Sequence, residues 1–209
     1  GPPEEPYSNT EAFFAARLET PLRQFGYETF RQAPGAPPPG VSFGALPEDY
    51  VIGRDDEVVL AFRGRARQTV SARVTREGTL LLPDLPPIPA AGRSLRELRD
   101  DLAERARRDM GSEAFVSIGQ LRQMNVFVSG EVARPGFQAL TAIASVLDAL
   151  TAAGGVRKTG SLRAVRVEGP RGNRVIDLYA VMIGAPGTPD LALREGERVV
   201  VPPLGGVVA

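Results

Sequence analysis

The chain has 209 residues, 43% of them hydrophobic and 24% charged, the make-up of a globular protein with one large or two small domains and a sizeable core. Its 25 Lys and Arg balance its 25 Asp and Glu, so no overall basic field exists to hold nucleic acid or an anionic membrane surface. With no Cys and no His it has no thiol or imidazole for a zinc site, a haem ligand, a disulfide or a histidine-based triad, and no cofactor is expected.

No stretch approaches the roughly 18 consecutive apolar residues of a membrane-spanning helix, and no secretory leader pattern opens the chain. Gly1-Pro2 resembles the remnant of tag removal, so the sequence is expected to be a piece of a longer protein. Phe13, Phe14, Leu18, Leu22 and Phe25, within Glu11 to Phe30, suit a short helix interrupted at Pro21. From Ala33 to Pro47 the run APGAPPPGVSFGALP favours extended chain, a linker or a strap. Glu57 to Phe62, Thr69 to Val74 and Thr79 to Leu82 read as strands, set off by turns at Gly53-Arg54-Asp55-Asp56 and Glu77-Gly78. Ser94 followed by Glu97 is a capping box, and Leu95, Leu98, Leu102 and Ala106 give one apolar stripe on a charged helix that Gly111 ends.

Phe115 to Ile118 and Asn125 to Ser129 are short β runs, and Arg134-Pro135-Gly136 is a turn. A second helix starts at Ser145 as N-cap, with Asp148 three residues on, and runs through Leu147 and Leu150 to the stop at Gly154-Gly155. Leu162 to Val167 and Arg174 to Ile176 form a hairpin across Gly169-Pro170-Arg171-Gly172. Asp177 caps one helical turn through Met182, and Arg198 to Val201 is a final strand. This order predicts an α+β fold with mixed sheets. Gly53-Arg54-Asp55-Asp56-Glu57-Val58 is echoed by Arg194-Glu195-Gly196-Glu197-Arg198-Val199, each an acidic turn before a β run whose carboxylate can cap its own backbone amides.

Three segments together resemble the Wza-type outer-membrane polysaccharide export family, which joins a polysaccharide-export domain to soluble-ligand-binding β-grasp (SLBB) domains. PEDYVIGRDDEV, Pro47 to Val58, is similar to the family's opening pattern, and REGTLLLPDLPPIPAAGRSLRELRDDL, Arg76 to Leu102, to its strand, proline-bearing turn, strand and capped helix. VFVSGEVARPGFQALTAIASVLDALTAAGGV, Val126 to Val156, resembles an SLBB opening, closed by LREGERVVVPP, Leu193 to Pro203. The family's usual Gly-Pro-Gly-Asp turn is here Gly53-Arg54-Asp55-Asp56, and Asp tolerates positive φ better than most residues. The N-terminal lipid-bearing Cys and the C-terminal amphipathic helix of some relatives do not occur in this sequence. Thr20 to Phe30 resembles a leader of members with several SLBB domains, and Gly205 to Ala209 the start of another repeat.

The resemblance implies a helical segment and strap over 1–46, a small mixed-sheet polysaccharide-export domain over 47–124, a β-grasp-like SLBB domain over 125–204 and the start of a further repeat over 205–209. It also implies a non-enzymatic conduit in the periplasm, associated with the outer membrane: a ring oligomer, octameric in relatives, through which a capsular or extracellular polysaccharide passes. The partners so implied are the polysaccharide chain, an inner-membrane polysaccharide copolymerase and an outer-membrane barrel, with no nucleic acid. A translocation lumen wants hydrated side chains that hold sugar weakly and repeatedly. Arg96, Arg99, Asp100 and Arg107 on the first helix, and Arg122, Gln123 and Asn125 before the SLBB strand, are the lumen or glycan-facing candidates, against the plainer reading of a solvated helix face. Arg105, Arg107, Arg108 and Asp109 are candidates for a head-to-tail ring contact, where surface ion pairs worth about 0–1 kcal/mol each would set register.

Two other classes compete. Glycoside cleavage needs two carboxylates about 5–10 Å apart, and Glu48, Asp49, Asp55, Asp56 and Glu57 are the suspects, but they crowd one turn in a chain with no Trp and four Tyr to stack sugars. A glycan- or peptidoglycan-binding periplasmic scaffold without a transport role fits the same folds. Gly154-Gly155 follows its helix and reads as a C-cap, not a phosphate cradle.

Overall fold

The computed structural model describes residues 46–205, apart from Ala66, Asp84 and Thr188, together with Glu11 and Tyr27. The helix expected over Glu11 to Phe30 and nearly all of the strap from Ala33 lie outside the described residues. The chain divides into two compact units, Ser42–Arg122 and Gln123–Ala209, the latter joined by Gly1–Val41.

The first unit holds, in chain order, β1 (Glu57–Gly64), β2 (Gln68–Arg73), β3 (Thr79–Leu80), β4 (Ile88–Pro89), α1 (Leu95–Met110) and β5 (Ser112–Ile118). In β1, Val58, Leu60 and Phe62 are buried while their neighbours are not, the period of two that turns one face to a core. β1 is the central strand, paired antiparallel with β2 on one side and β5 on the other. The third expected strand is shorter than Thr79 to Leu82: only Thr79 and Leu80 pair, with Pro89 and Ile88. Pro83, Pro86 and Pro87 follow, and proline has no N–H to carry a ladder onward. α1 forms as its sequence requires. Ser94 Oγ accepts from the Glu97 amide at 3.2 Å while Glu97 Oε2 accepts from the Ser94 amide at 2.8 Å, satisfying two N-terminal donors. Leu95, Leu98, Leu102 and Ala106 are its buried stripe, and Gly111 ends it in the left-handed conformation.

The second unit holds β6 (Gln123–Gly130), β7 (Gly136–Thr141), α2 (Val146–Ala152), β8 (Val165–Gly169), β9 (Gly172–Ile176), α3 (Leu178–Met182) and β10 (Arg198–Val201). Its five-stranded sheet has the order β7-β6-β10-β8-β9. β6 and β10 run parallel at its centre and all other pairs are antiparallel, so the mixed pairing sits in this unit and the first unit's sheets are antiparallel throughout. β7 was not expected. Arg134-Pro135-Gly136 does turn the chain, but Gly136 to Thr141 then pairs along β6. Only Leu140 of this edge strand is buried, so no apolar alternation announces it. α2 repeats the capping box with Ser145 and Asp148, and Val146, Ala149 and Leu150 are its buried residues. Val126, Val128, Leu150, Val165, Val167 and Val199 lie at the centre of the core, which also takes in Tyr27. The Tyr27 hydroxyl donates to the Gly160 carbonyl at 2.8 Å, and Lys158 is ion-paired with Glu11.

Candidate functional site

Each unit enters a strand through a turn with a buried acid, and the two turns are built alike. In the first, Asp56 is fully buried and its Oδ2 accepts from the Gly53 amide at 2.8 Å, the Tyr50 hydroxyl at 2.7 Å and Arg122 Nη1 at 3.0 Å. Its Oδ1 accepts from the Arg122 amide at 2.7 Å. Burial above all, and then the bond to Asp56, pushes the Tyr50 phenol well above its ordinary range. A Cβ on Gly53 would lie 2.5 Å from Arg122 Cζ, so glycine is what lets the guanidinium close over the turn. In the second turn Glu197 Oε2 accepts from the Arg194 amide at 2.9 Å, and Arg174 grips both carboxylate oxygens at 2.6 and 3.3 Å. Burial would raise Glu197, but the Arg174 hydrogen bond, the Arg194 amide and both guanidinium charges outweigh it and hold the carboxyl below the usual range. Asp55, with φ 69°, and Gly196, with φ 83°, occupy corresponding positions. The echo between the two segments is therefore a shared strand-entry device.

That device buries Asp56 and holds Arg122 inward, and a separate ion pair engages Arg99. Arg122 is committed to Asp56 and Tyr50 and does not reach out as a lumen group would. Arg99 donates to the Val116 carbonyl at 3.0 Å and is ion-paired with Glu48. Asp56 and Glu48, two of the carboxylates weighed for glycoside cleavage, are thereby held by basic partners. On the open face of α1, Arg96 and Asp100 are exposed and make no ion pair with a described residue. Asp101 is bound by Arg105 at 2.7 Å and Arg93 at 2.8 Å, and these hydrogen bonds, that of Arg105 foremost, keep it below the ordinary carboxylate range. Arg108 is paired with its neighbour Asp109 at 2.9 Å, and Arg107, also among the candidates for ring contacts, is exposed and makes no ion pair with a described residue.

In the second unit Gln123 and Asn125 alternate outward along β6, and Phe127 is the next outward residue. Their partners across the ladder are Thr141, Ala139 and Phe137. Phe127 is 38% and Phe137 73% exposed, and their rings meet edge to face with centroids 5.0 Å apart. Beyond them on the same ladder row stand Arg198 and then Glu168, joined by an ion pair of 2.6 Å, and Arg166, two residues earlier on β8, also pairs with Glu168 at 3.2 Å. This outward face offers two amides, an aromatic edge and face, and a triad of charges. Such groups hold a hydroxyl-rich ligand by hydrogen bonds and C–H contacts with no covalent step. The aromatic pair was missed from the sequence because its second half lies on the unexpected β7. No cluster of Asp and Glu suited to a metal ion occurs among the described residues.

Antiparallel sheets with one capped helix, followed by a mixed five-stranded sheet with two short helices, define a two-domain α+β module. Residues 45–119 match the family model described as polysaccharide biosynthesis/export protein, and residues 124–201 match the SLBB domain. The chain belongs to the polysaccharide export family. It is similar to two Escherichia coli proteins named polysialic acid transport protein KpsD, each 28% identical over 188 residues, which is 87% of this chain and 32% of theirs. It thus spans about a third of the length of the curated relatives it matches. Among the described residues no helix is long and apolar enough to cross a membrane, which says nothing of strands.

Proposed function

We propose that this chain is a non-enzymatic segment of a polysaccharide export conduit in the periplasm, associated with the outer membrane, whose copies form a ring around an axial cavity. The observation that carries this is the tandem match, export domain then SLBB domain, to two consecutive compact units of the chain. The name of the E. coli relatives, polysialic acid transport protein, supports a polysaccharide as the cargo. In this reading Arg96, Asp100 and Arg107 on the export unit, and Gln123 and Asn125 beside Phe127 and Phe137 on the SLBB unit, supply weak, repeated contacts to a moving polymer. An inner-membrane polysaccharide copolymerase feeds the ring, and an outer-membrane barrel or a further part of the protein completes the path outward.

The test is the mass and shape of the full-length protein in detergent, by light scattering and negative-stain imaging. Rings with an axial cavity are the expected outcome. A strict monomer that still binds glycan would replace the conduit with a glycan- or peptidoglycan-binding scaffold.

A further inference from the structure

The overall balance of charge conceals a local excess. The hairpin joining β1 to β2 carries Arg63, Arg65 and Arg67, and Arg107 lies near the end of α1, all four exposed. Four other arginines of this unit are taken up by carboxylates, Arg93 and Arg105 by Asp101, Arg99 by Glu48 and Arg122 by Asp56, while Arg54, Arg73, Arg76 and Arg96, which make no ion pair with a described residue, line neither of the clefts described next. None of Arg63, Arg65, Arg67 and Arg107 makes an ion pair with a described residue. Arg63 instead stands over the Phe115 ring at 5.5 Å. Arg65 runs past Gly111, where an added Cβ would lie 3.4 Å from Arg65 Cδ, so the carbonyl end of α1 offsets part of its charge.

Two shallow clefts open at this place. One, of about 510 Å³, is lined by Arg63, Gly64, Arg67, Gln68 and Thr69 among others. The second, of about 390 Å³, is lined by Arg63, Gly64, Arg107, Gly111, Ser112 and Glu113. They share Arg63 and Gly64, so they adjoin at the end of β1, and Glu113 is the single carboxylate that lines either. A guanidinium presents a planar fork of N–H donors that fits a carboxylate bidentately. Shallow ground with several such forks suits an extended polymer bearing acid groups better than a small molecule, which would need enclosure. The hairpin from Gly64 to Gln68 carries no large apolar side chain to enter a bilayer. The clefts also lack the row of stacking aromatics that single-stranded nucleic acid uses.

We propose that this pair of clefts is a binding site for carboxylate-bearing polysaccharide, with Arg63, Arg67 and Arg107 as its anion-holding groups. The proposal rests on the export reading in taking the ligand to be a polysaccharide, and it adds the charge class of that polymer and the place where it is held. The test uses the 209-residue protein with alginate, a polyuronate, and dextran, a neutral glucan, by biolayer interferometry at several ionic strengths. Expected are salt-sensitive binding to alginate in preference to dextran, and a loss of at least about tenfold in the R63Q/R67Q/R107Q variant. The matching Arg→Lys triple variant, which keeps the charge and loses the bidentate fork, should bind with intermediate affinity, the R171Q control, an exposed arginine of the second unit, should be unchanged, and circular dichroism should show all variants folded.

Alginate binding that survives the triple Gln change, or equal binding of dextran, would overturn the site while leaving the conduit standing. Arginine-dependent binding to phosphatidylglycerol vesicles in preference to alginate would overturn it in favour of a lipid surface. Conversely, arginine-dependent alginate binding by a full-length protein that never forms rings would uphold the site and remove the conduit.

Discussion

Asp56 shows how one buried charge can organise a turn. It is fully buried and accepts from two side chains and two backbone amides, so removing it leaves the Tyr50 hydroxyl and the Arg122 guanidinium without their acceptor. Asp56→Ala should cost about 3–5 kcal/mol, the usual penalty for breaking one side of a buried ion pair. Tyr50→Phe, which deletes a single hydroxyl, should cost about 1–1.5 kcal/mol. Urea denaturation of the two variants checks both, and similar losses would mean that Asp56 is not the centre of the network. The acidic turn was legible because Asp55 and Asp56 sit between a glycine and a β run. The role of Arg122 was not: its partner is 66 residues away, and no local pattern distinguishes a guanidinium that folds inward from one that faces water.

At the scale of elements, legibility follows how local the cause is. Both capped helices could be read because Ser94 with Glu97, and Ser145 with Asp148, act within one turn of chain. β7 could not, because it is held by its ladder to β6 and buries only Leu140. Gly130 lies in the segment that resembles an SLBB opening, and the structure supplies a reason for a glycine there. Gly130 has φ 87°, and a Cβ there would collide with the Val201 carbonyl oxygen where β6 meets β10. Gly130→Ala should therefore destabilise the second unit by about 1–3 kcal/mol from backbone strain, with the collision adding to it. Hydrogen exchange would reveal the loss as early opening of β6 and β10, while amides of β1 and β5 keep their protection. Equal loosening of both sheets would contradict it. On the outward sheet face, Gln123 and Asn125 were legible as polar residues, whereas the adjoining Phe127–Phe137 contact required the pairing of β6 with β7.

For the molecule as a whole, a balance of 25 acids against 25 bases makes stability sensitive to acid. Glu197 is held below its ordinary value of 4.5 against the opposing effect of burial, mainly by Arg174. A carboxyl lowered in the folded state contributes stability that is fully present above its unfolded pKa and is lost as pH falls through the folded one. The melting temperature should therefore fall as pH is lowered beneath about 4.5, the unfolded value of this group. Glu197→Gln should lower stability at pH 7 and flatten that dependence. A melting profile of the variant parallel to the parent's across this range would show that other carboxyls carry the effect. The presence of an export domain and an SLBB domain was legible in the order of motifs. The entry of Tyr27 into the second core was not, since it joins residues separated by 133 positions.

Tyr27 gives the order of synthesis a consequence. The first unit has its full complement of residues once Arg122 has been made. The second must keep an early tyrosine in reserve while the whole of the first is threaded between its parts, and its sheet closes only when β10, near the end of this sequence, arrives beside β6 and β8. On the ribosome the earliest of these residues wait for the latest, and the segment in between is the one free to fold first.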